Sequence, residues 1–243
     1  LLIHVSVFAE DALQLSDGRQ YDLAKNIEVL EDPSGELDLN QVNDSPEWTR
    51  LARGNINFGF TSSAYWFKSS IQANGDGLWT LHLAYPLLDE VDIYSQINGQ
   101  YLQVSRSGDL RPFNDRPVKA LNPVVHYQLK AGDQLDITIR MVSKGTLEAP
   151  LWFMPTGQYE LEELQTTFFR GGFYGVLIVM LLYNLFIFMA LRERTYLFYV
   201  FNVAAFLILQ TVYDGSGFQY FWPEYSIINT IAFPFLYGVL QIA

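Results

Sequence analysis

The sequence predicts an all-β sandwich followed by transmembrane α-helices, and three observations support this order. Short stretches of alternating apolar and polar residues, separated by turn signals, run from Asn26 to Phe153. Glu10 to Gln165 contains 23 Asp and Glu and 12 Lys and Arg, whereas only six charged residues follow between Thr166 and Ala243. Gly171 to Leu191 is an uncharged run of 21 residues, which is long enough to cross the roughly 30 Å hydrocarbon core of a bilayer.

The alternation in the first part predicts individual strands with one buried face each. Leu135, Ile137, Ile139 and Met141 alternate with polar residues in the clearest example. Asn98-Gly99 stands between two such stretches and is the strongest hairpin signal in the chain. Together with the other turn signals, the pattern predicts a sandwich of roughly eight strands.

The beginning of the chain predicts a targeting segment. Leu1 to Phe8 is an apolar run interrupted by His4 and Ser6, and small or apolar residues precede a cleavage point after Ala9. Residues 1–9 are therefore interpreted as the remnant of a signal peptide, with the sandwich domain spanning residues 10–158. An alternative is that this run forms the first β-strand of the domain.

Three apolar runs predict transmembrane helices at 171–191, 196–213 and 227–243, the third of them incomplete at the chain end. The polar stretch from Tyr159 to Gln165, with Glu160, Glu162 and Glu163, predicts the start of a helical linker at 159–170 that continues into the first span. The short loop Arg192-Glu193-Arg194-Thr195 carries two arginines, which places it in the cytoplasm by the positive-inside rule and the sandwich outside.

The composition excludes several functional classes. The chain has 243 residues, 26 acidic against 15 basic, and a formal net charge of −11. A nucleic-acid partner is not expected, because phosphate binding needs a basic face. The absence of cysteine excludes a disulfide framework, a thiolate nucleophile and Cys-ligated zinc.

Catalytic chemistry is poorly represented. Histidine occurs only at positions 4, 82 and 126, so a three-histidine metal site outside the signal segment cannot form. The nucleophile elbow, the Walker loop and the dinucleotide fingerprint are all absent from the sequence. We therefore predict that the chain is not an enzyme and binds no cofactor.

Binding chemistry is better represented. Flat aromatic side chains and forked arginine donors, which suit a sugar ring or another small ligand, occur at Tyr65, Trp66, Tyr94, Arg106, Arg111 and Arg116. An alternative interpretation is that the aromatics form the core of the sandwich and the arginines pair with Asp109 or Asp115. Asp89, Glu90 and Asp92 form an acidic cluster with oxygen ligands for Ca²⁺. No 12-residue calcium loop surrounds this cluster, so a solvated strand edge is the preferred interpretation and no metal site is predicted.

Several motifs resemble a known family in their identity and order. In the first part they are Ala64-Tyr65-Trp66-Phe67, Tyr85-Pro86-Leu87-Leu88-Asp89-Glu90-Val91-Asp92-Ile93-Tyr94, and Gly108-Asp109 with Pro112-Phe113 and Arg116-Pro117. In the second part they are Leu182-Tyr183-Asn184-Leu185-Phe186, Tyr196-Leu197-Phe198-Tyr199 and Gly217-Phe218-Gln219-Tyr220-Phe221-Trp222-Pro223. They resemble the bacterial seven-transmembrane receptors with diverse intracellular signalling modules, specifically the type-2 extracellular domain followed by its membrane domain.

This resemblance implies a periplasmic jelly-roll sandwich, similar to carbohydrate-binding modules, on a seven-helix bundle in the bacterial inner membrane. It also implies a cytoplasmic output domain, such as the histidine kinase of a two-component system or a diguanylate cyclase, beyond the third helix where this chain stops. Among the ligand candidates, the matching motifs contain Tyr65, Trp66, Asp109, Arg111 and Arg116.

The resulting hypothesis is the sensory input region of a receptor. The sandwich would bind a small carbohydrate-like ligand, a cation or a protein partner, and the segment from Thr156 to Arg170 would couple binding to the helices. Gly171-x-x-x-Gly175 also allows a homodimer. Two alternatives remain open: a membrane-anchored carbohydrate-binding or envelope-interaction protein without signalling output, and a membrane enzyme with its active site on the sandwich.

Overall fold

The computed structural model describes residues 12–16, 18–52 and 54–242. The chain forms two compact units. One, the sandwich unit, consists of Leu1–Arg111 and Asp115–Thr156, and the other, the helical unit, of Pro112–Asn114 and Gly157–Ala243. The predicted signal-peptide remnant at residues 1–9 lies outside the described residues.

The described part of the sandwich unit contains thirteen β-strands, several of only two residues, together with one short α-helix, α1 at Leu39–Asn43. The strands are β1 Leu13–Gln14, β2 Tyr21–Asp22, β3 Glu28–Asp32, β4 Thr49–Arg50, β5 Asn57–Phe60, β6 Ala64–Gln72, β7 Gly77–Leu83, β8 Glu90–Ile97, β9 Gln100–Ser107, β10 Val124–Leu129, β11 Gln134–Val142, β12 Thr146–Glu148 and β13 Leu151–Pro155.

These strands form a sandwich, as the sequence predicts. The larger sheet has the order β4-β3-β6-β11-β8-β9, with β1 added in parallel to β6. The smaller sheet has the order β10-β7-β13-β2, and β12 pairs with β5 in a separate ribbon. The strands beyond the predicted eight are mostly the two-residue ones, which are too short to show an alternating pattern.

The main core lies between the two sheets and is built from the alternating apolar residues. Ile137 and Ile139 of β11 are 1% exposed, and Leu81 of β7 and Phe153 of β13 are fully buried. Trp79 stacks on Phe153 with ring centroids 5.5 Å apart. Because side chains alternate across a strand, the polar residues of β11 project from the opposite, outer face of the larger sheet.

The hairpin predicted at Asn98-Gly99 is present between β8 and β9. Both residues have positive φ angles, 52° at Asn98 and 73° at Gly99. This is the backbone conformation of a two-residue turn whose twist matches that of the flanking strands. The side-chain amide of Asn98 donates to the Asp133 carboxylate at 2.8 Å, which connects the hairpin to the residue just before β11.

A second, smaller apolar cluster covers part of the outer face of the larger sheet. Leu30, Val42 and Trp66 are its buried members. Val42 belongs to α1, which begins with a capping box between Asp38 and Gln41. The segment that carries α1 therefore packs on the outer face and forms a wall beside the exposed part of the sheet.

The described part of the helical unit contains one long helix and three shorter ones. They are α2 Thr156–Leu191, α3 Arg194–Tyr213, α4 Ser216–Tyr220 and α5 Ile227–Ile242. Among the described helices, α2 and α3 are long and apolar enough to cross a membrane, and they contain the predicted spans 171–191 and 196–213. The predicted third span corresponds to α5, whose apolar part, Ile227–Gly238, is shorter. The predicted linker and first span form one uninterrupted helix of 36 residues.

A polar cluster joins α2 to the end of α3. The Asp214 carboxylate, which follows α3, lies 3.6 Å from Arg170 Nε and accepts a hydrogen bond of 2.7 Å from the Tyr174 hydroxyl. Arg170 and Tyr174 are one helical turn apart, so both reach the same carboxylate. The end of α3 is therefore held at the level of Arg170 along α2.

The first residue of α2 is anchored in the smaller sheet. Thr156 Oγ1 lies 2.8 Å from Thr80 Oγ1 on β7. The Thr80 hydroxyl also contacts His126 Nδ1 of β10 at 2.9 Å. Thr156 and Thr80 are both buried. Because α2 starts directly after β13, no loop separates the sheet from the helix.

Candidate functional site

The outer face of the larger sheet carries a polar groove of about 440 Å³. We call it the outer-face groove. Its floor is formed by β6, β8 and β11, and its sides by α1 and the β8–β9 hairpin. The lining residues are Leu39, Asn43, Lys68, Tyr94, Gln96, Asn98, Gly99, Gln134, Asp136 and Thr138. This volume is within the range of small-molecule sites.

Strand register places the functional groups of the groove in two rows. Thr138 of β11 pairs with Lys68 on β6 and with Tyr94 on β8, so these three side chains form one row across the sheet. Asp136 pairs with Gln96 in the next row. Residues two apart on a strand share a face, which explains why the polar positions of the predicted strands converge here.

The groove combines one cation and one anion with several amides. Lys68 Nζ lies 5.7 Å from the centre of the Trp48 ring. Burial lowers the pKa of Lys68, and the nearby carboxylates of Glu28 and Asp136 oppose this shift. The formal charges of Lys68 and Asp136 cancel, so the lining favours a neutral or zwitterionic ligand over a strongly charged one.

The anion of the groove is held by neighbouring side chains. Asp136 Oδ1 accepts hydrogen bonds from Ser70 Oγ at 2.6 Å and from Gln134 Nε2 at 3.1 Å. The backbone N–H of Gln134 donates to Asn98 Oδ1 at 3.0 Å. These contacts fix the positions of the carboxylate and the amides, which is what a site for a hydrogen-bonding ligand requires.

Tyr94 provides the flat apolar surface of the groove and is supported from below. Its ring stacks on Trp66 with centroids 6.0 Å apart and an interplanar angle of 19°. Trp66 itself is only 1% exposed. Burial raises the pKa of the Tyr94 hydroxyl, and the negative charge of Asp92 adds to this shift. Tyr94 therefore presents a neutral phenol whose ring position is set by the buried indole.

The two other predicted aromatic candidates are packing residues. Tyr65 points to the inner face of β6, is 7% exposed and stacks on Phe58 with centroids 4.0 Å apart. Trp66 lies in the smaller apolar cluster. Of the aromatic residues singled out from the sequence, only Tyr94 lines the groove. Alternation alone does not reveal this, because the segment Tyr65-Trp66-Phe67 is apolar on both faces.

Arg111 is part of an ion-pair network outside the groove. Its guanidinium donates to both Asp92 oxygens, at 2.7 and 3.2 Å, and to the carbonyls of Val91 and Ser107. Arg106, with a side chain 70% exposed, lies 3.8 Å from the same carboxylate. Arg111 therefore fixes the turn after β9 to β8. The ion pair is structural, but its acidic partners are Asp92 and Glu90 and not Asp109 or Asp115, the partners expected from the sequence.

The acidic residues considered for calcium are engaged elsewhere. Arg140 and Arg111 each lie 3.4 Å from the Glu90 carboxylate, while Asp92 binds Arg111. Asp89 accepts a hydrogen bond from the backbone N–H of Lys144 at 2.8 Å. Across residues 12–16, 18–52 and 54–242, no group of three His, Cys, Asp or Glu is arranged to hold a metal ion.

Asp109 and Arg116 are buried in the turn region that follows β9. Arg116 is 4% exposed and donates to the carbonyls of Ala120, Leu121 and Gly108 at 3.0, 2.7 and 3.2 Å. Burial lowers its pKa to about 10, so it remains charged at neutral pH. Burial and the neighbouring Asp89 raise the pKa of Asp109 to about 7, against the opposing effect of Arg116.

We expect the stability of the sandwich to depend on the protonation of Asp109. The pKa of this carboxyl rises from 3.8 to about 7 on folding, so between these values the folded state binds more protons than the unfolded state. The free energy of unfolding should therefore decrease as pH rises from about 4 to about 7. Melting temperatures across this range, compared with those of Asp109→Asn, measure the effect.

The matched control for this comparison is Asp115→Asn, because Asp115 is exposed. It should retain the pH dependence of the wild type, whereas Asp109→Asn should flatten it. Parallel pH profiles for all three proteins would contradict the assignment of this dependence to Asp109.

Most residues of the outer-face groove could not be identified from the sequence. Lys68, Gln96 and Asp136 are ordinary polar residues of alternating strands, and their spacing carries no chemical motif. The available signal is the register itself, since adjacent β6, β8 and β11 bring these positions together. Strand order depends on contacts between segments that are distant in the sequence, so the alternating pattern of each strand does not indicate it.

A larger cavity of about 680 Å³ lies near β4 and β5 and contains fewer functional groups. It is lined by Val29 and by residues of the segment from Thr49 to Gly59, with Arg50 as its charged member among the described residues. The outer-face groove is therefore the better candidate, because it brings a cation, an anion, amides and an aromatic ring into one place.

A β-sandwich with a polar groove, continuing into helices long enough to span a bilayer, is the architecture of a membrane-bound sensor or binding protein. Residues 24–155 match the family model described as 7TMR-DISM extracellular 2, and residues 166–243 match the model described as 7TM diverse intracellular signalling. The chain therefore belongs to the family of seven-transmembrane receptors with diverse intracellular signalling modules. It is an integral membrane protein with an extracellular sensory domain, and the matched families are receptor families, not catalytic ones.

Solved structures share the sandwich only distantly. The β-glucosidase of Kluyveromyces marxianus in complex with glucose is 12% identical, with a TM-score of 0.33 over 52% of this chain and 15% of that chain. The β-glucuronidase of Ruminococcus gnavus in complex with D-glucaro 1,5-lactone is 10% identical, with a TM-score of 0.34 over 60% of this chain and 31% of that chain. This chain thus spans less than a third of either enzyme.

A family 35 carbohydrate-binding module from Clostridium thermocellum is 9% identical, with a TM-score of 0.27 over 57% of this chain and 98% of that chain. Similarities at this level carry no argument about the ligand of this chain. No curated protein is significantly similar to it.

Proposed function

We propose that this chain is the sensory input region of a bacterial inner-membrane receptor. In this proposal the sandwich faces the periplasm and binds a small polar ligand in the outer-face groove. The observation that carries the proposal is the groove itself, where Lys68, Asp136 and the amides of Gln96 and Gln134 surround the ring of Tyr94. Such a lining suits a polyhydroxylated or zwitterionic molecule of saccharide or amino-acid size.

Signalling from the groove would proceed through the sandwich to α2. The start of this helix is hydrogen-bonded to β7 through Thr156 and Thr80, and the helix continues without a break into the first apolar span. A ligand can shift the receptor between two states only by binding one of them more tightly. The proposed output is a cytoplasmic signalling domain following the helix bundle.

The test is ligand binding by the full chain in detergent, measured as a shift in melting temperature with a panel of sugars and amino acids. A ligand at 100 times its dissociation constant stabilises the folded state by about 2.7 kcal/mol, which raises the melting temperature by several degrees. Gln96→Ala should weaken binding about tenfold, because it removes a hydrogen-bonding group from the groove floor.

The matched control is Gln103→Ala, which makes the same truncation at an exposed position of β9 outside the groove lining. It should leave binding unchanged. If no compound of the panel shifts the melting temperature, or if both variants weaken binding equally, the proposal that the groove is the ligand site is wrong.

A further inference from the structure

The charged side chains that line the outer-face groove in the described part of the chain, Lys68 and Asp136, stand at neighbouring positions of one sheet face. Lys68 of β6 pairs with Thr138 of β11, and Asp136 precedes Thr138 by two residues on the same strand. Lys68 and Asp136 are therefore diagonal neighbours, which in an antiparallel pair are separated by about 7–8 Å. Cross-strand partners and residues two apart on a strand share a face. The groove thus presents a cation and an anion side by side.

The cation is positioned by the segment that carries α1. Lys68 Nζ lies 5.7 Å from the centre of the Trp48 ring, which is within the range of a cation–π contact. The Trp48 indole in turn donates to the carbonyl of Val42 on α1 at 2.9 Å. Burial lowers the pKa of Lys68, whereas the carboxylates of Glu28 and Asp136 oppose this shift and favour the charged form. An ammonium group is therefore available to a ligand carboxylate on this side of the groove.

The anion is held in place but retains capacity to accept further hydrogen bonds. Asp136 Oδ1 accepts from Ser70 Oγ and from Gln134 Nε2, and Oδ2 accepts a longer bond of 3.3 Å from the same Gln134 amide. An ionised carboxylate has about four acceptor sites, and Asp136 is partly exposed. The Asp136 carboxylate can therefore accept a charge-assisted hydrogen bond from a ligand ammonium without losing its present partners.

An apolar surface lies next to this pair of charges. Tyr94 is in the same row as Lys68, with Thr138 between them. Leu39 of α1 also lines the groove, and both Tyr94 and Leu39 pack against the smaller apolar cluster. An apolar group that a ligand carries between its two charged ends would lie over Thr138 and reach the Tyr94 ring. Aromatic rings provide large apolar contact area for such a group.

On the basis of the proposed function, in which the outer-face groove binds the ligand, we propose that this ligand is a zwitterionic α-amino acid with an apolar side chain. Its carboxylate pairs with Lys68, its ammonium with Asp136, and its side chain packs on Tyr94. Two charge-assisted hydrogen bonds of about 2.8 Å and an ammonium–carboxylate separation of about 3 Å together span about 8–9 Å, close to the diagonal spacing of the two positions. A neutral sugar gains an ionic contact with neither residue, and a simple amine or carboxylic acid gains one with only one of them.

The test compares matched compounds by calorimetric titration of the full chain in detergent. The probes are L-leucine and L-phenylalanine, the amines that lack the carboxylate (isoamylamine and phenethylamine), the acids that lack the ammonium (isocaproate and hydrocinnamate), and glucose. We expect at least one of the two amino acids to bind at least about tenfold more tightly than either of its analogues, because each analogue loses one charge-assisted contact. Glucose should show no binding. This comparison uses the unaltered chain, so it does not depend on the folding of any variant.

Two variants assign the charges of the ligand to their partners. Lys68→Met should weaken binding of the amino acid about tenfold and leave the affinity for the amine unchanged. Asp136→Asn should weaken binding of the amino acid by a similar factor and leave the affinity for the carboxylic acid unchanged. The matched controls are Lys144→Met and Asp115→Asn, which make equivalent changes at exposed positions outside the groove lining. They should leave the affinities for all compounds unchanged.

The outcomes separate the ligand class from the site. If glucose binds, Gln96→Ala weakens its binding and neither amino acid binds, the amino-acid assignment is wrong while the groove remains the ligand site. If an analogue binds as tightly as its amino acid, or if Lys68→Met and Asp136→Asn behave like their controls, the assigned ion pairs are wrong. If neither these probes nor the panel of sugars and amino acids binds, both the amino-acid assignment and the groove as ligand site are wrong.

Discussion

Replacing Gly108 by alanine is expected to lower the melting temperature of the sandwich by about 10 °C. Gly108 has a φ angle of +128°, and an added Cβ would lie 2.2 Å from the carbonyl oxygen of Asp89 and 2.9 Å from Cα of Glu90. Both contacts are with backbone, so no side-chain rotation relieves them. The combination of an unfavourable φ angle with a backbone clash should cost about 3 kcal/mol or more.

The measurement is thermal unfolding of the full chain in detergent, followed by tryptophan fluorescence. Gly132→Ala is the matched control, because Gly132 has a φ angle of +90° and an added Cβ would meet nothing within 4 Å. It should show only the smaller cost of the φ angle. If the two variants unfold at the same temperature, the close approach of Gly108 to β8 is not a determinant of stability.

Replacing Trp66 by alanine is expected to destabilise the sandwich by about 3–5 kcal/mol, which is the usual effect of removing a buried tryptophan. Trp66 is 1% exposed and packs with Leu30 and Val42 in the smaller apolar cluster. Its removal also withdraws the support of the Tyr94 ring. Thermal unfolding, monitored by tyrosine and tryptophan fluorescence, measures the loss of stability. Titration with a ligand of the outer-face groove measures the loss of affinity.

Trp66→Phe separates packing from direct ligand contact. It keeps an aromatic ring beneath Tyr94, so it should recover most of the stability and most of the binding. Tyr94→Ala, by contrast, should weaken binding with a smaller loss of stability, because Tyr94 is only partly buried. If Trp66→Phe folds normally but fails to bind, Trp66 contacts the ligand directly and its assignment as a packing residue is wrong.

The architecture could be predicted because its determinants are local and periodic. The alternation in Leu135 to Met141, the Asn98-Gly99 turn and the uncharged run from Gly171 to Leu191 each report directly on a strand, a hairpin or a span. Strand order and register could not be predicted, since pairing between β6, β8 and β11 depends on contacts distant in sequence. Two-residue strands such as β1 and β2 could not be predicted for a different reason, because two residues are too few for an alternating pattern to repeat.

The candidate site could be predicted only in part. Aromatic residues are candidates for binding surfaces, but only those that are not buried in the core can contact a ligand. Of the predicted aromatic candidates, only Tyr94 lines the outer-face groove. Arginines are equally ambiguous, because the same guanidinium that binds a ligand also satisfies buried carbonyls, as Arg116 does. Lys68 and Asp136 carry no distinguishing pattern and become candidates only through their shared face.

The direct junction of β13 with α2 has a consequence for protein engineering. With no loop between Pro155 and Thr156, every residue added to or removed from α2 rotates everything beyond it by about 100°. A chimera that fuses this sandwich to a different set of transmembrane helices must therefore conserve helical phase, which changes of seven residues nearly do. Fusion points within this helix are interchangeable only between chimeras whose helix lengths differ by nearly whole numbers of turns, such as seven or eleven residues.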